Sequence, residues 1–244
     1  MRLEVCVDGA DGATAAVAGG ADRIELCSAL ELGGLTPSAG LMARAALLPV
    51  PVHALIRPRS GNFRYSSAEV ATMLADIRAA RKAGLAGVVI GAALADGRLD
   101  ADTLARLRDA ADAMSLTLHR VFDLVPDFAE AVDTAVTLGF DRILTSGGAP
   151  TAPEGIDALA GICAAAAGRT GIMPGAGIDA GNVGALLEAL AVEEVHGSCS
   201  LAVAPASSRV VPGFGGYARR ETSADKVRAL KAAMMRSQAA RRER

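Results

Sequence analysis

Short runs of aliphatic and β-branched residues alternate with longer Ala- and Leu-rich segments along the whole chain. Apolar runs of this kind, bounded by Gly, Pro and Asp, are typical of buried strands. Eight segments fit the description, at residues 3–8, 23–27, 52–57, 87–93, 116–122, 142–147, 171–177 and 194–199. We therefore predict eight strands.

The segments between these strands carry apolar residues at a spacing of three to four, as in residues 67–84 and 100–114. This spacing indicates amphipathic helices. Eight strand–helix alternations in 244 residues match a TIM (β/α)8 barrel in number and size. An open, doubly wound α/β sheet is the alternative. We predict one single-domain barrel over residues 1–244, with a long loop at 201–223 and a C-terminal helix at 224–240.

One phrase occurs twice in the chain. The stretch "AGGADRIELCSAL" aligns with "TLGFDRILTSGGA" at a constant offset of 119 residues, about half the chain. The first copy contains strand 2 and the second contains strand 6. Either a half-barrel of four βα units is repeated, or Asp and Arg meet the same local need at the turn into each strand.

Alternation along each strand divides the side chains into a helix-facing set and a lumen-facing set. In strand 1, for example, Leu3, Val5 and Val7 suit the helix side, so the residues between them point into the barrel. The predicted inward residues are Glu4, Cys6, Asp8, Glu25, Cys27, His53, Arg57, Thr117, His119 and Asp123. Since barrel lumens are ordinarily filled by branched apolar side chains, so polar a set requires an explanation.

Two explanations are open. Glu4, Glu25, Arg57 and His119 could form one satisfied ionic network that only fills the barrel, because buried charges are costly unless paired. Alternatively, the inward set is an active site, since several of its members end their strands at the face where barrel enzymes bind substrates. The hypothetical catalytic residues are then Glu4, Glu25, His119 and Asp123. Glu25 and His119 would act as acid and base, and Arg57 would bind an anionic substrate.

The cysteines follow no tight CxxC spacing. Cys6 and Cys27 lie on adjacent strands, both facing inward, and two neighbouring thiolates suit Cu(I) or Zn(II). The alternative is that both are inert, buried small side chains. Cys163 is expected to pack within a helix, and Cys199 to face outward from strand 8.

Glycines at the ends of strands 7 and 8 predict a second kind of site. Phosphate groups in TIM barrels are often bound by backbone N–H groups of the loops after these two strands. The hypothetical anion-binding residues there are Gly175, Gly177, Gly197 and Ser198. The alternative is that the glycines only permit sharp turns.

The amino-acid composition and net charge narrow the range of possible binding partners. Only 3% of the residues are aromatic, there is no Trp, and the net charge is −2, all of which argue against nucleic acid as a partner. No apolar run approaches the length of a bilayer span, and no secretory signal is recognisable, so we expect a cytoplasmic protein without a membrane partner. The basic C-terminal run is expected to be a solvated helix end. The long loop could cover the barrel mouth or mediate self-association, and we expect a homo-oligomer, most simply a dimer.

Several long phrases resemble the CutC copper-homeostasis family. They are "LEVCVD", "GGADRIELCSALELGGLTPSAGL", "PVHALIRPRSGNFRYS", "HRVFD", "DRILTSGGAPTAPEG" and "IMPGAGI…NV", which together extend over essentially the whole barrel. The resemblance implies a TIM barrel, a cytoplasmic location and a role in copper homeostasis, with copper-binding thiols at the positions of Cys6 and Cys27. One departure is Ala176, which stands where the family has the second Gly of a "PGGG"-like turn. The expected ligand is therefore Cu(I), and the alternative is an enzyme acting on a small anionic or phosphorylated substrate.

Overall fold

Eight parallel strands surround one axis in the computed structural model, which describes residues 1–203 and 220–242. The strands are β1 (Arg2–Val7), β2 (Arg23–Leu26), β3 (Val52–Leu55), β4 (Gly87–Ile90), β5 (Ser115–Leu118), β6 (Arg142–Thr145), β7 (Gly171–Pro174) and β8 (Glu194–Gly197). Strands β1 to β7 are hydrogen-bonded to one another in sequence order, and β8 pairs with β1, so β7 and β8 are the two ends of the hydrogen-bonded sheet. Since β7 and β8 lie side by side at the remaining seam, the predicted TIM barrel is confirmed against the open sheet.

Helices follow the strands and cover the outside of the barrel. They are α1 (Ala10–Gly19), α2 (Ala39–Ala45), α3 (Ser67–Lys82), α4 (Ala101–Ala111), α5 (Phe128–Thr137), α6 (Ile156–Ala166), α7 (Val183–Ala189) and α8 (Ala224–Arg242). The two helices predicted from apolar spacing are confirmed as α3 and α4. Ser66 and Glu69 form a reciprocal capping box at the start of α3, and the Asp100 side chain accepts from the amide of Thr103 at the start of α4.

The apolar core lies between the barrel and the helices. Val5, Ile24 and Val195 are fully buried there, each at a helix-facing position of its strand. Cys199 belongs to the same apolar cluster, on the helix side of the barrel wall, as its parity predicts. The alternate positions of the strands are thereby left for the lumen, which is where the polar side chains collect.

The chain after β8 leads into an additional strand pair and the last helix. β9 (Ser200–Ala202) pairs antiparallel with β10 (Arg220–Thr222), and α8 then packs against α1 and α7. A Cβ atom on Gly19 would lie 2.5 Å from Cβ of Val227, so Gly19 permits the close approach of α1 and α8. Helix α8 covers the predicted C-terminal helix, but the predicted 201–223 loop was wrong at its ends, which form β9 and β10. Residues 204–219 of that loop lie outside the described residues.

Every predicted strand ends earlier than expected, and strand 5 does so by the largest number of residues. Strand 5 was expected to continue to residue 122, but β5 ends at Leu118 and residues Arg120–Leu124 form a short 3₁₀ helix. The reason is local, since Nδ1 of His119 accepts the amide hydrogen of Val121 at 3.1 Å and turns the chain out of the sheet. Asp123 therefore lies in a 3₁₀ turn and not at a strand end.

The repeated phrase has the same structure in both copies. Asp22 accepts from the amide of Leu3 at 2.6 Å, and Asp141 accepts from the amide of Leu116 at 2.8 Å, so each Asp holds the first residues of the preceding strand. The Arg that follows each Asp points into the lumen, where both guanidinium groups meet Glu194. The Asp and Arg of each copy therefore meet the same local need, and they do so at matching places in the two halves of the barrel.

Candidate functional site

Glu4 lies at the centre of the lumen and is fully buried. Its carboxylate accepts from Nε of Arg23 and from Nδ1 of His196, the latter at 2.9 Å. Burial alone would raise the pKa of Glu4, but the hydrogen bond from His196 and the charge of Arg23 outweigh burial and lower the pKa well below its usual value. Glu4 is therefore an anion held by two partners.

Two arginines and Glu194 extend this network toward the amino-terminal end of the barrel. Arg23 Nη2 donates to Glu194 Oε2 at 2.5 Å, and Arg142 Nε lies 3.0 Å from the same oxygen. Arg142 Nη1 also donates to the hydroxyls of Ser115 and Thr117, each at 3.0 Å. The lower lumen is consequently filled by paired charges, as the ionic-network alternative required.

The membership of that network differs from the prediction. Glu4 is a member, but Arg57 and His119, which were expected to join it, lie near the mouth of the barrel and have other partners. Arg23 and Arg142 take the cationic places instead. That explanation was wrong about Arg57 and His119. Arg23 and Arg142 begin predicted strands 2 and 6 with the parity of the inward positions, but they were not counted among the inward residues.

Cys6, Glu25 and His196 form a compact group above Glu4. One ligand atom from each residue lies within 4.8 Å of the other two, and His196 Nε2 is 3.7 Å from Glu25 Oε2. Burial raises the pKa of Glu25 to about 7, against the opposing effect of His196. Burial would lower the pKa of His196, but its contacts with Cys6 and Glu4 raise it well above the usual value. Among the described residues, this is the group of side chains that could hold a metal ion.

Cys27 has different surroundings from Cys6. Its side chain packs against Leu55, Val89 and Leu30 in a small apolar cluster under the barrel mouth. Burial and the nearby charge of Glu25 raise the pKa of its thiol well above the usual range. The two predicted thiols remain neighbours in the sheet, since the amide of Cys27 donates to the carbonyl of Val7 at 2.8 Å.

Arg57 and His119 meet around Phe63. The Arg57 guanidinium lies 4.9 Å from the centre of the Phe63 ring and donates to the carbonyls of Leu32, Gly34 and Gly61. The His119 ring lies 4.8 Å from the same phenyl ring, centre to centre. Burial and then the charge of Arg57 lower the pKa of His119 to about 3, so its imidazole is neutral at neutral pH.

Asp8, Asp123 and His53 were also predicted to face inward, and they have three different surroundings. Asp8 is exposed and accepts from the amide of Leu30 at 3.2 Å. Asp123 accepts from the hydroxyls of Thr145 and Ser146 and from Nε of Arg120, tying the 3₁₀ turn to the end of β6. His53 is buried beside β2, where burial lowers its pKa to about 4.

The glycines predicted to bind phosphate are near the seam of the barrel. A Cβ atom on Gly175 would lie 2.6 Å from Leu144 Cδ1 and 3.2 Å from His196 Cβ, so this glycine lets β7 approach β8. Gly177 has a positive φ of 70° and turns the chain after β7. Gly197 is the last residue of β8, and Ser198 follows it with its hydroxyl 3.3 Å from that of Ser200.

Four lumen residues were missed by the sequence analysis. They are Arg23, Arg142, Glu194 and His196. A signal for each was present, because strict alternation places them on the same side of their strands as Glu25, Leu144 and Ser198. His196 was considered only as part of a glycine-containing turn, although it proves to be the link between Glu4 and the Cys6–Glu25 pair.

Comparison with known proteins agrees with this architecture. A family model described as the CutC family matches residues 1–201. The CutC family protein of Rhizobium meliloti (strain 1021) is 61% identical over 233 residues, covering 95% of this chain and 95% of its own length. The one of Sinorhizobium medicae (strain WSM419) is 60% identical over 235 residues, covering 96% of both chains.

Solved structures give the same result for the fold. A candidate copper homeostasis protein, CutC, from Streptococcus agalactiae superposes with a TM-score of 0.78 at 30% identity, covering 81% of this chain and 98% of that one. A thiamine phosphate pyrophosphorylase from Pyrococcus furiosus superposes with a TM-score of 0.60 at 14% identity, over 97% of this chain and 96% of its own, a likeness of fold alone. Within the described ranges, no helix is long and apolar enough to cross a membrane. From the family match and the close relatives, the chain belongs to the CutC family, whose named structure is linked to copper homeostasis.

Proposed function

We propose that this protein serves copper homeostasis by binding Cu(I) inside the barrel, with the Cys6 thiolate as the principal ligand. The observation that carries the proposal is the grouping of Cys6 with Glu25 and His196 at the carboxyl ends of β1, β2 and β8. A soft thiolate next to an imidazole is a donor set that suits Cu(I). The link of the Streptococcus agalactiae relative to copper homeostasis supports the same choice of metal.

Cys27 is proposed as the second thiol. It follows β2 directly, and its backbone is hydrogen-bonded to β1 one residue beyond Cys6. Its apolar surroundings favour the neutral thiol, so binding of Cu(I) must displace the proton, and we expect Cys27 to contribute less than Cys6 to the affinity.

The test is an anaerobic Cu(I) titration in competition with a chromophoric chelator. We expect Cys6→Ser to weaken binding by more than about 10-fold, the lower end of what loss of even an outer-shell partner costs. Cys27→Ser should weaken it less. Cys163 is half-buried in α6, so Cys163→Ser is the matched control and should bind Cu(I) as the wild type does. Equal affinity in wild type, Cys6→Ser and Cys27→Ser would contradict the proposal.

A second candidate function is an enzyme acting on a small anionic or phosphorylated substrate. The observation in its favour is that Arg57 Nε and His119 Nε2 are buried and have no hydrogen-bond partner among the described residues. Because Nδ1 of His119 accepts from Val121, its Nε2 carries a hydrogen, so both orphan atoms are donors that an anion could satisfy. Glu25, with its pKa near neutrality, would supply acid–base chemistry with His119, and Glu4 and Asp123 would support the charges. Gly175, Gly177, Gly197 and Ser198 would bind a phosphate group.

Thermal unfolding tests this candidate. Inorganic phosphate, citrate and a panel of sugar phosphates should raise the unfolding temperature of the wild type if the mouth binds anions. Arg57→Gln should lose that increase, whereas Arg64→Gln, at an exposed arginine seven residues along, should keep it. No stabilisation of the wild type by any of these anions would contradict an anionic substrate.

The setting proposed for either function is the cytoplasm, with the protein as a homodimer. The free thiols are consistent with a reducing compartment. Cell fractionation tests the location, and light scattering after size-exclusion chromatography tests the dimer, for which a monomeric mass would be the contradicting result.

A further inference from the structure

The group of Cys6, Glu25 and His196 has features beyond those that Cu(I) requires. Glu25 is a hard oxygen donor, which Cu(I) does not favour, yet it lies 3.7 Å from His196 Nε2. With Zn–N and Zn–O bonds of about 2.0–2.2 Å, a nitrogen and an oxygen ligand of a tetrahedral ion are about 3.3–3.5 Å apart. The Glu25–His196 separation is a few tenths of an ångström longer, so a small side-chain adjustment would bring both atoms to one ion.

Glu25 differs from the other lumen carboxylates in its partners. Glu4 and Glu194 are each paired with Arg23, and Arg142 completes the pairing of Glu194. In the described part of the chain, by contrast, no Arg or Lys nitrogen is recorded within 4.0 Å of the Glu25 carboxylate, and its ion-pair partner is His196. The charge of this buried carboxylate is therefore balanced by an imidazole that is itself a potential metal ligand, and a bound cation would take over that role.

Glu4 orients the imidazole for ligation. His196 Nδ1 is hydrogen-bonded to the fully buried Glu4 carboxylate, which is itself held by Arg23. This contact directs Nε2 toward Glu25 and Cys6. A carboxylate that accepts from one nitrogen of a metal-binding His, fixing the ring and its tautomer, is the usual outer-shell arrangement of zinc sites.

The same group retains access to solvent from one side. Cys6 is 9% exposed, Glu25 6% and His196 8%, whereas Glu4 beneath them is completely buried. Solvent therefore reaches the three ligand residues but not Glu4. A metal ion bound by the three side chains would have a fourth coordination position left for solvent, as in catalytic zinc sites with three protein ligands.

From these observations we propose that Cys6, Glu25 and His196 form a site for a divalent transition metal of the Zn²⁺ class, oriented by Glu4 and open at its fourth position. Cys6 is shared with the proposed Cu(I) site, but Cys27 takes no part here, so variants at Cys27 separate the two proposals. A divalent ion would add positive charge beside the buried Glu25 carboxylate, and the mixed S, N and O donor set suits zinc.

Co²⁺ is the spectroscopic probe for this site. Added anaerobically to the full-length protein, it should give a thiolate-to-cobalt charge-transfer band and visible d–d bands of tetrahedral intensity, and Zn²⁺ should displace both. Cys6→Ser should abolish the charge-transfer band, and His196→Gln and Glu25→Gln should weaken Co²⁺ binding strongly. Glu4→Gln should weaken it by about 10–100-fold through loss of the outer shell.

Cys27→Ser is the matched control and separates this proposal from the Cu(I) proposal. It should leave the Co²⁺ spectrum and affinity unchanged while reducing Cu(I) affinity. Glu25→Gln guards against unfolded variants, because among the described residues no hydrogen bond to the Glu25 side chain is recorded that the change would break. Circular dichroism should show the native fold.

Three results would overturn the proposal. They are the absence of a charge-transfer band in the wild type, unchanged Co²⁺ affinity in folded Glu25→Gln, and loss of the band in Cys27→Ser. Each of them leaves the Cu(I) titration free to succeed or fail on its own.

Discussion

The two halves of the barrel share a frame and differ in chemistry. Asp22 and Asp141 each hold the first amide of the preceding strand, which aligns Leu3 with Leu116 and therefore β1 with β5. The arginine after each aspartate points inward to Glu194. The aspartates that hold the strand starts and the arginines that fill the lower lumen are therefore equivalent in both halves.

At three pairs of equivalent inward positions, however, the first half has an acidic or thiol side chain and the second half does not. Glu4 corresponds to Thr117, Glu25 to Leu144, and Cys27 to Ser146 in this alignment. Arg23 consequently pairs with a carboxylate, whereas Arg142 donates to hydroxyls. The barrel frame does not demand the acidic and thiol side chains, so their concentration on one side is a feature of the site.

The largest expected difference between the halves is in their arginines. Arg23→Gln strands the fully buried Glu4 and should lower the free energy of unfolding by about 3–5 kcal/mol, the cost of breaking a buried ion pair. Arg142→Gln loses contacts to hydroxyls, and Glu194 keeps Arg23, so we expect a loss of about 1–2 kcal/mol. Urea denaturation measures both, and equal losses would contradict the asymmetry.

His119, the β5 counterpart of Cys6, should make the protein acid-sensitive. Its pKa is about 3 when folded against an ordinary value of 6.5, so the unfolded chain binds the proton first and stability falls as pH drops below 6.5. Between pH 6.5 and 4.5 this one group should remove about 2–3 kcal/mol. In His119→Asn, whose carbonyl can still accept from Val121, the decline should be smaller by that amount, and unchanged pH profiles would contradict the assignment.

In Glu25→Leu, the first half receives the leucine that the second half has at the equivalent position, Leu144. The metal-free variant should be more stable than the wild type by about 2 kcal/mol, because an apolar side chain replaces a carboxylate whose ionised form is disfavoured by burial, which raises its pKa to about 7. Metal-free thermal unfolding is the measurement. Destabilisation by the change would mean that Glu25 has a structural partner equivalent to those of Glu4.

The smallest effect is expected at the seam between β7 and β8, which lies within the second half. In Gly175→Ala the new methyl group would press on Leu144 and His196, at a cost of about 1 kcal/mol, because the end of Leu144 can move aside. Gly161→Ala, on the open face of α6, is the control and should be neutral or stabilising by about 0.5–1 kcal/mol. Chemical denaturation compares the two, and a neutral Gly175→Ala would show that the seam is loosely packed.

Much of the site was predictable from strand parity. Glu4, Cys6 and Glu25 were placed in the lumen by alternation alone, because successive residues of a strand face opposite sides. Parity was less informative about partners, since it does not reveal which inward residues lie at the same height. Arg57 was assigned to the wrong neighbours for this reason, because height depends on the stagger between strands and on where each strand ends.

The sequence by itself determined the barrel, the two-layer division of its side chains and the family. These depend on periodicity and on long local phrases, which are properties of neighbouring residues in the chain. Only the tertiary structure decided that His196, at the far end of the barrel, joins Cys6 and Glu25 over Glu4. The physical reason is closure, because pairing β8 with β1 brings residues about 190 positions apart in sequence into hydrogen-bonding distance, and no local pattern encodes that contact.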